Sequence, residues 1–540
     1  MKTLKICNHK TTGVVLALAL MVCGCADNAG INMPEHTEQI PEITQGITVR
    51  EESASGGETD YSALFNGITL AKSYKGIGNC NPIVEQHYGA DPCALVYDGT
   101  LYIYMTADSY EYDGSGDIKD NTYSQIKSIY VVSTKDMVNF TDHGEITVAG
   151  RDGAAVWAHN SWAPAAAWKE IDGKDRFFLY FADNGGGIGV LSADSPLGPF
   201  TDELGQGLIR RDMENCGNVE WLFDPAVLVD EDGEAYIYFG GGVPQGQEDH
   251  PLTARCARLG DDMISLDCVP VTIDAPYLFE DSEIHRYGDK YYYTYCSNFN
   301  VDEAGEAEYG FSGGEIIMME SDTPLGPFEC VGRIMRNPGY YWGIGGNNHH
   351  AVFEFDGHWY ITYHTRLLEK AQGILKGYRS TSIDEITVAE DGSIEEIVMT
   401  KNGRTQTRWL DPYEPVNAAT FALSAGVETA PADDFSEEYG YGNMLLSSID
   451  SGDFVMLRGV DFGKEGANSI RATVRTNGQD GVIRMTVEYL NKNVICYIPV
   501  TGEGEVVCEA SFDEPLTGVQ DVYFTFSGEG YEVVEWSFVH

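Results

Sequence analysis

Five times between residues 94 and 363 the chain repeats one local pattern: a short apolar strand, a tight turn and a second strand rich in aromatics. The units run over 94–104, 165–180, 226–238, 284–295 and 352–363. Each alternates apolar residues around a turn, usually built on Asp and Gly, which is the signature of a β-hairpin. Ala94-Leu-Val-Tyr-Asp-Gly-Thr-Leu-Tyr-Ile-Tyr104 shows it plainly. The units recur at intervals of roughly 55–75 residues, longer than a solenoid period and right for a four-stranded propeller blade. The later part of two units repeats as well, as Ser195-Pro-Leu-Gly-Pro-Phe200 and Thr323-Pro-Leu-Gly-Pro-Phe328. No long stretch carries helical periodicity. The expectation is an all-β chain with a five-bladed β-propeller over residues 76–405.

The repeat stops near Arg408. Residues 410–540 hold strands of another kind, such as Phe454–Asp461 and Val522–Phe526, and suit a jelly-roll-like β-sandwich. At the other end, Lys2, Lys5 and Lys10 precede an apolar run from Thr12 to Val22, too short to span a bilayer. Residues 1–25 therefore read as a signal peptide. Val22-Cys23-Gly24-Cys25 is similar to a bacterial lipobox, which implies lipidation at Cys25 and a place outside the cytoplasmic membrane or on the cell surface. Residues 26–75 are polar and read as a flexible spacer between anchor and folded domains.

Eighty-four acidic residues against 34 basic ones give a formal charge of −50. That field repels nucleic acid and anionic membrane surfaces, and favours a neutral partner or a bound cation. Beyond the N-terminal segment nine cysteines remain, from Cys80 to Cys508, an odd number at irregular spacing. They form neither a disulfide framework nor a zinc motif. A monomer is expected, with contact to the membrane only through the lipid anchor.

In a propeller the first strand of each blade lines the axis, so the residues just before those strands converge. Reading that position in each unit gives Asp91, Trp162, Asp224, Glu280 and His349. Buried acids are costly unless paired or used. Two carboxyls across a sugar, one protonated and one ionised, are what glycoside hydrolysis requires. Glu280 has close neighbours in Asp281 and Glu283, and a small offset would put Glu283 in its place.

The motifs around these residues resemble glycoside hydrolase family 43: Asp91-Pro92, Asn160-Ser161-Trp162-Ala163-Pro164, Val219-Glu220-Trp221-Leu222-Phe223-Asp224-Pro225, Phe279-Glu280, and Asn347-Asn348-His349-His350. Gly377-Tyr378-Arg379-Ser380-Thr381 adds to the match. The resemblance covers roughly residues 76–405. It implies an inverting hydrolase in which Asp91 activates water, Glu280 protonates the leaving oxygen, and Asp224 orients Glu280 and keeps its pKa high. It further implies a sugar pocket walled by Trp162 and reached by Arg379, and an axial calcium at His349, with no organic cofactor. The expected substrate is plant hemicellulose, with arabinofuranose released from arabinoxylan. A β-xylosidase acting on xylo-oligosaccharides is the alternative, and a non-catalytic surface glycan-binding protein the alternative of another class. Residues 410–540 are similar to a family 6 carbohydrate-binding module, but the loop that usually offers a stacking Trp reads Thr501-Gly-Glu-Gly-Glu-Val506. Tyr439 and Tyr441 are the substitutes the sequence offers.

Overall fold

The computed structural model describes residues 60–432 and 442–540. The expected signal peptide and Cys25, together with Tyr439 and Tyr441, lie outside the described residues. What is described is predominantly β, in five small antiparallel sheets followed by two larger ones.

Three of the repeated hairpins close through two-residue Asp-Gly turns: Asp98-Gly99, Asp172-Gly173 and Asp356-Gly357. Both residues of each turn have positive φ, 46° and 67° at the first. This is the geometry whose twist matches the flanking strands, and Asp and Gly tolerate it best. The second strand of each hairpin is buried on both faces, as in Thr100–Ala107 and Lys290–Ser297.

The sheets take their strands in chain order. The first holds Gly89–Tyr97, Thr100–Ala107, Ser128–Thr134 and Phe140–Thr147; the second begins with Trp162–Ile171, the third with Ala226–Val229, and the fourth with Leu278–Tyr287. The fifth has three strands, His350–Phe355, His358–Thr365 and Ser380–Ile386. Residues 81–83 run beside its last strand, with Ile83 N donating to Thr381 O (2.9 Å) and Asn81 bonded both ways to Ile383.

Each first strand lies beside the first strand of the next sheet, and that of the fifth beside that of the first. Apolar cores fill the gaps: Leu95 and Tyr104 with Phe177 and Leu179, Phe178 and Tyr180 with Ile237, Tyr238 with Tyr293, Tyr292 with Ile361, and Phe353 with Ile103. The five first strands together surround a small cavity of about 40 Å³.

The C-terminal strands form two facing sheets around one core, in which Trp536 stacks on Phe524 with ring centroids 4.0 Å apart. Thr420–Phe421 leaves this unit to pair with Phe140 and Thr141, extending the first sheet by a strand. Asp142, fully buried, ties the seam by accepting from His87 and Thr429.

The expected spacer does not extend to residue 75. Tyr61–Phe65 forms a 3-10 turn whose Phe65 ring is buried, 5.6 Å from Tyr497 and under the Arg484 guanidinium. Ala71 N donates to Gly452 O, and the buried Lys75 donates to Pro82 O. Composition marked the stretch as polar, but one well-placed aromatic is enough to dock it. The nine described cysteines are all unpaired.

Candidate active site

The convergence expected from the sequence occurs, displaced by one residue in two of the sheets. Near its start each of three first strands carries a β-bulge, between Ala90 and Cys93, Trp162 and Ala165, and Glu280 and Glu283. The residue after the first of each pair has positive φ: Asp91 (48°), Ala163 (41°) and Asp281 (70°). Asp224 shares that conformation at 48°. The equivalents of Asp91 and Asp224 are thus Ala163 and Asp281, whereas Trp162 and Glu280 stand one residue earlier. A bulge inserts an extra residue and re-aims a side chain, and here it lets Glu280 approach from a different direction than Asp91. Gly241 makes room for it, since a Cβ there would meet Phe279 O at 2.5 Å and Glu280 Cα at 3.3 Å.

Asp91 is buried and held by three groups. Arg379 donates to its Oδ1 at 2.8 Å, His364 Nδ1 lies 3.1 Å from the same oxygen, and His349 Nδ1 lies 3.5 Å away. Burial works against the charge of Asp91, but the Arg379 guanidinium, with the His364 contact, outweighs it and holds the carboxyl well below the usual range. Burial pushes His349 down to about 3, so its ring is neutral and the guanidinium supplies the charge that matters.

Arg379, which the resemblance directs at the sugar pocket, bonds Asp91 and Asp108 in the structure. It is buried, its Nε and Nη2 are directed at Asp108 (3.0 and 2.9 Å), and the Tyr123 ring covers its face at 4.8 Å. Asp108 and His364 were missed by sequence reasoning because they belong to second strands of their hairpins, not first. The available signal was an acid or histidine terminating an apolar strand, as in Tyr104-Met-Thr-Ala-Asp108.

Glu280 lies in opposite surroundings. It is buried and its Oε1 has no hydrogen-bond partner, while Asn347 contacts the carboxyl. Burial first, then the charges of Asp224 and Asp91, push its pKa well above the usual range. Asp224 is also raised, by burial and by Asp91, but its Oδ2 accepts the Asp281 backbone N–H at 2.9 Å, which favours its charged form. The two carboxyls titrate as a pair, and burial with two acidic neighbours and one unpartnered oxygen favours the proton on Glu280. Glu283 lines the axial cavity among Pro92, Pro164, Pro225 and His350, and burial pushes its pKa well above the usual range.

Asp281 is fixed by His350, whose Nδ1 donates to Oδ2 at 2.6 Å while its Nε2 meets Thr294 Oγ1 at 2.8 Å. Trp162 is half-buried and donates from Nε1 to Tyr123 O at 3.0 Å, which fixes the indole beside the ring that covers Arg379. His349 contacts Asp91, Asp224 and Asp281 without standing among their ligating oxygens as one more member of a cage. Calcium takes six to eight oxygen ligands. Among the described residues no three His, Cys, Asp or Glu groups are arranged to hold a metal. The side chains at His349 do not by themselves fit the calcium that the resemblance implies.

The site thus joins a buried carboxyl bonded to a guanidinium and a second buried carboxyl whose pKa is raised by burial and by its acidic neighbours. The sequence pattern of glycosyl hydrolases family 43 matches residues 80–394, and that of the family 6 carbohydrate-binding module matches residues 417–540. The chain belongs to glycoside hydrolase family 43. This glycoside hydrolase is 46% identical over 466 residues to the arabinoxylan arabinofuranohydrolase of Paenibacillus polymyxa, covering 84% of this chain and 72% of that one. It is 43% identical to the arabinoxylan arabinofuranohydrolase of Bacillus subtilis (strain 168), over 88% and 94% of the two chains. The crystal structure of a family 43 arabinoxylan arabinofuranohydrolase from Bacillus subtilis, in complex with cellotetraose, superposes with a TM-score of 0.82 at 42% identity, over 87% of this chain and 99% of that one.

Proposed function

We propose that this family 43 enzyme releases arabinofuranose side chains from arabinoxylan-type hemicellulose with inversion, in an active site on the axis of a five-bladed β-propeller. The cyclic order of the five first strands and their shared cores support the propeller. The observation that carries the chemistry is the opposed surroundings of Asp91 and Glu280, a guanidinium bonded to the first and a buried oxygen without a partner on the second. Asp91, held charged by Arg379, removes a proton from water as it attacks the anomeric carbon. Glu280 delivers its proton to the departing glycosidic oxygen. Asp224 lies beside Glu280, and its partial charge keeps that proton in place until it is needed. Trp162, its indole fixed by Tyr123, serves as a wall of the sugar pocket. The similarity to two arabinoxylan arabinofuranohydrolases along nearly the whole chain supports arabinose as the released sugar. The lipobox-like Val22-Cys23-Gly24-Cys25 supports tethering at Cys25 on the outer side of the cytoplasmic membrane.

The test is to incubate residues 26–540, and the same chain with Glu280→Ala, with soluble arabinoxylan and xylo-oligosaccharides and to identify the sugars released. Arabinose from arabinoxylan, lost in the variant, is the expected result. Xylose from the oligosaccharides in its place would reassign the enzyme as a β-xylosidase. No release from either would refute the catalytic reading.

A further inference from the structure

The C-terminal sandwich carries two clefts of different chemistry. The larger, about 800 Å³, opens at the loop end and is lined by Asp450, Asn477, Glu505 and Glu529; its one aromatic among the described residues, Tyr531, is 1% exposed. It offers sugar no ring to stack on. The second, about 390 Å³, lies where the chain enters the sandwich, between 409–413, 461–465 and the terminal His540. Its wall is the indole of Trp409, 56% exposed and absent from the apolar core.

The backbone around this second cleft is tied by hydrogen bonds. Leu410 N donates to Gly459 O (3.0 Å) and Asp461 N to Leu410 O (2.9 Å), so the residue after Trp409 is held in a parallel bridge with Val460. Tyr413 donates from its hydroxyl to Phe462 O and stacks on His540 with ring centroids 3.8 Å apart. Asp411 and Asp461 each use one carboxylate oxygen on a local backbone N–H, of Tyr413 and Gly463. Asp411, Asp461, Lys464 and Glu465 are all among the residues that line the cleft.

A flat, exposed aromatic face rimmed by carboxylates and an ammonium is chemistry for a neutral polyhydroxylated ring: apolar C–H faces against the indole, hydroxyls against the rim. A nucleic acid or anionic lipid is repelled by the same carboxylates and by the overall charge of −50. We infer that the Trp409 cleft is a secondary binding site for a neutral β-linked pyranose chain such as a xylan backbone, which holds the polymer while its side chains are removed at the catalytic site. The inference extends the proposed arabinoxylan activity, but its test does not depend on turnover. Trp409 precedes the 417–540 module match and touches none of the catalytic residues.

The experiment measures binding of soluble arabinoxylan and of xylohexaose by affinity electrophoresis and calorimetry, comparing the full chain carrying Glu280→Ala with the same chain carrying also Trp409→Ala. Loss of one stacking ring predicts about 2- to 10-fold weaker polymer binding. In the otherwise unaltered enzyme, Trp409→Ala leaves the rate on a small aryl arabinofuranoside unchanged. Equal polymer retention with and without Trp409 would overturn the inference. So would light scattering showing that Trp409→Ala dissociates an oligomer, since a second copy would then be what covers the indole.

Discussion

The placement of Arg379 behind Asp91 makes a prediction that separates its two possible uses. Removing the Arg379 side chain alone would take two guanidinium donors from Asp108, a buried carboxylate, and leave it only the backbone N–H of residue 379. Breaking a buried pair from one side costs about 3–5 kcal/mol, whereas removing both partners together is often neutral. The informative variant is therefore Arg379→Met with Asp108→Asn. It leaves the net charge unchanged, so its effect on Asp91 comes from proximity: the guanidinium touches the carboxylate at 2.8 Å, and Asp108 lies on the other edge of that group. An opposite charge at such range lowers a carboxyl by about 1–3 pKa units, and burial, no longer countered, acts upward. Asp91 must be ionised to act as a base, so raising its pKa removes activity from the acidic side. The acidic limb of kcat/KM on soluble arabinoxylan is expected to move up by roughly 1–3 pH units. The basic limb, set by the Glu280–Asp224 pair, moves the same way by less, because Arg379 is a weaker influence there than burial and the neighbouring acids. An unmoved acidic limb with KM raised at every pH would refute the reasoning and return Arg379 to a direct sugar contact.

Two further expectations concern how the site and the N-terminal segment are held. Gly241→Ala pushes a Cβ into Phe279 O at 2.5 Å and the Phe223 ring at 2.7 Å, a clash against backbone that side-chain motion cannot relieve. It should cost about 1–3 kcal/mol, read as a fall in Tm, and lower kcat by displacing Glu280. Phe65→Ala removes the ring that docks residues 60–75 on Tyr497 and Arg484. It should cost at most about 1.5–3 kcal/mol and expose this segment to limited proteolysis, with activity on small substrates retained; unchanged protease resistance would show that the backbone bonds of Ala71 and Lys75 suffice.

Much of this protein is written in local sequence. The Asp-Gly turns need only their own positive φ, and the alternation around them needs only a pleated strand, so five hairpins were legible as five hairpins. Asp91 and Asp224 were legible because each precedes a proline at the mouth of a first strand. The choice of Glu280 over Asp281 and Glu283 rests on the Phe279-Glu280 motif of the family and not on the local strand pattern. Which of the three faces the site depends on a bulge, and one inserted residue reverses which face a side chain takes without leaving a mark in composition or spacing. The polar run before residue 76 misled for a related reason: composition averages over a window, whereas docking turns on the single ring of Phe65.

The sequence by itself determined the strands, the turns, the supply of acids and the family, because these follow from short-range periodicity and from motifs a few residues long. The tertiary structure decided which acid keeps its proton and which loses it. Asp91 and Glu280 are both carboxyls, and what distinguishes them is Arg379, 288 residues along the chain from Asp91, and on Glu280 a buried oxygen without a partner. A pKa is set by burial and by charges within a few ångströms, and those distances do not exist until the chain has folded.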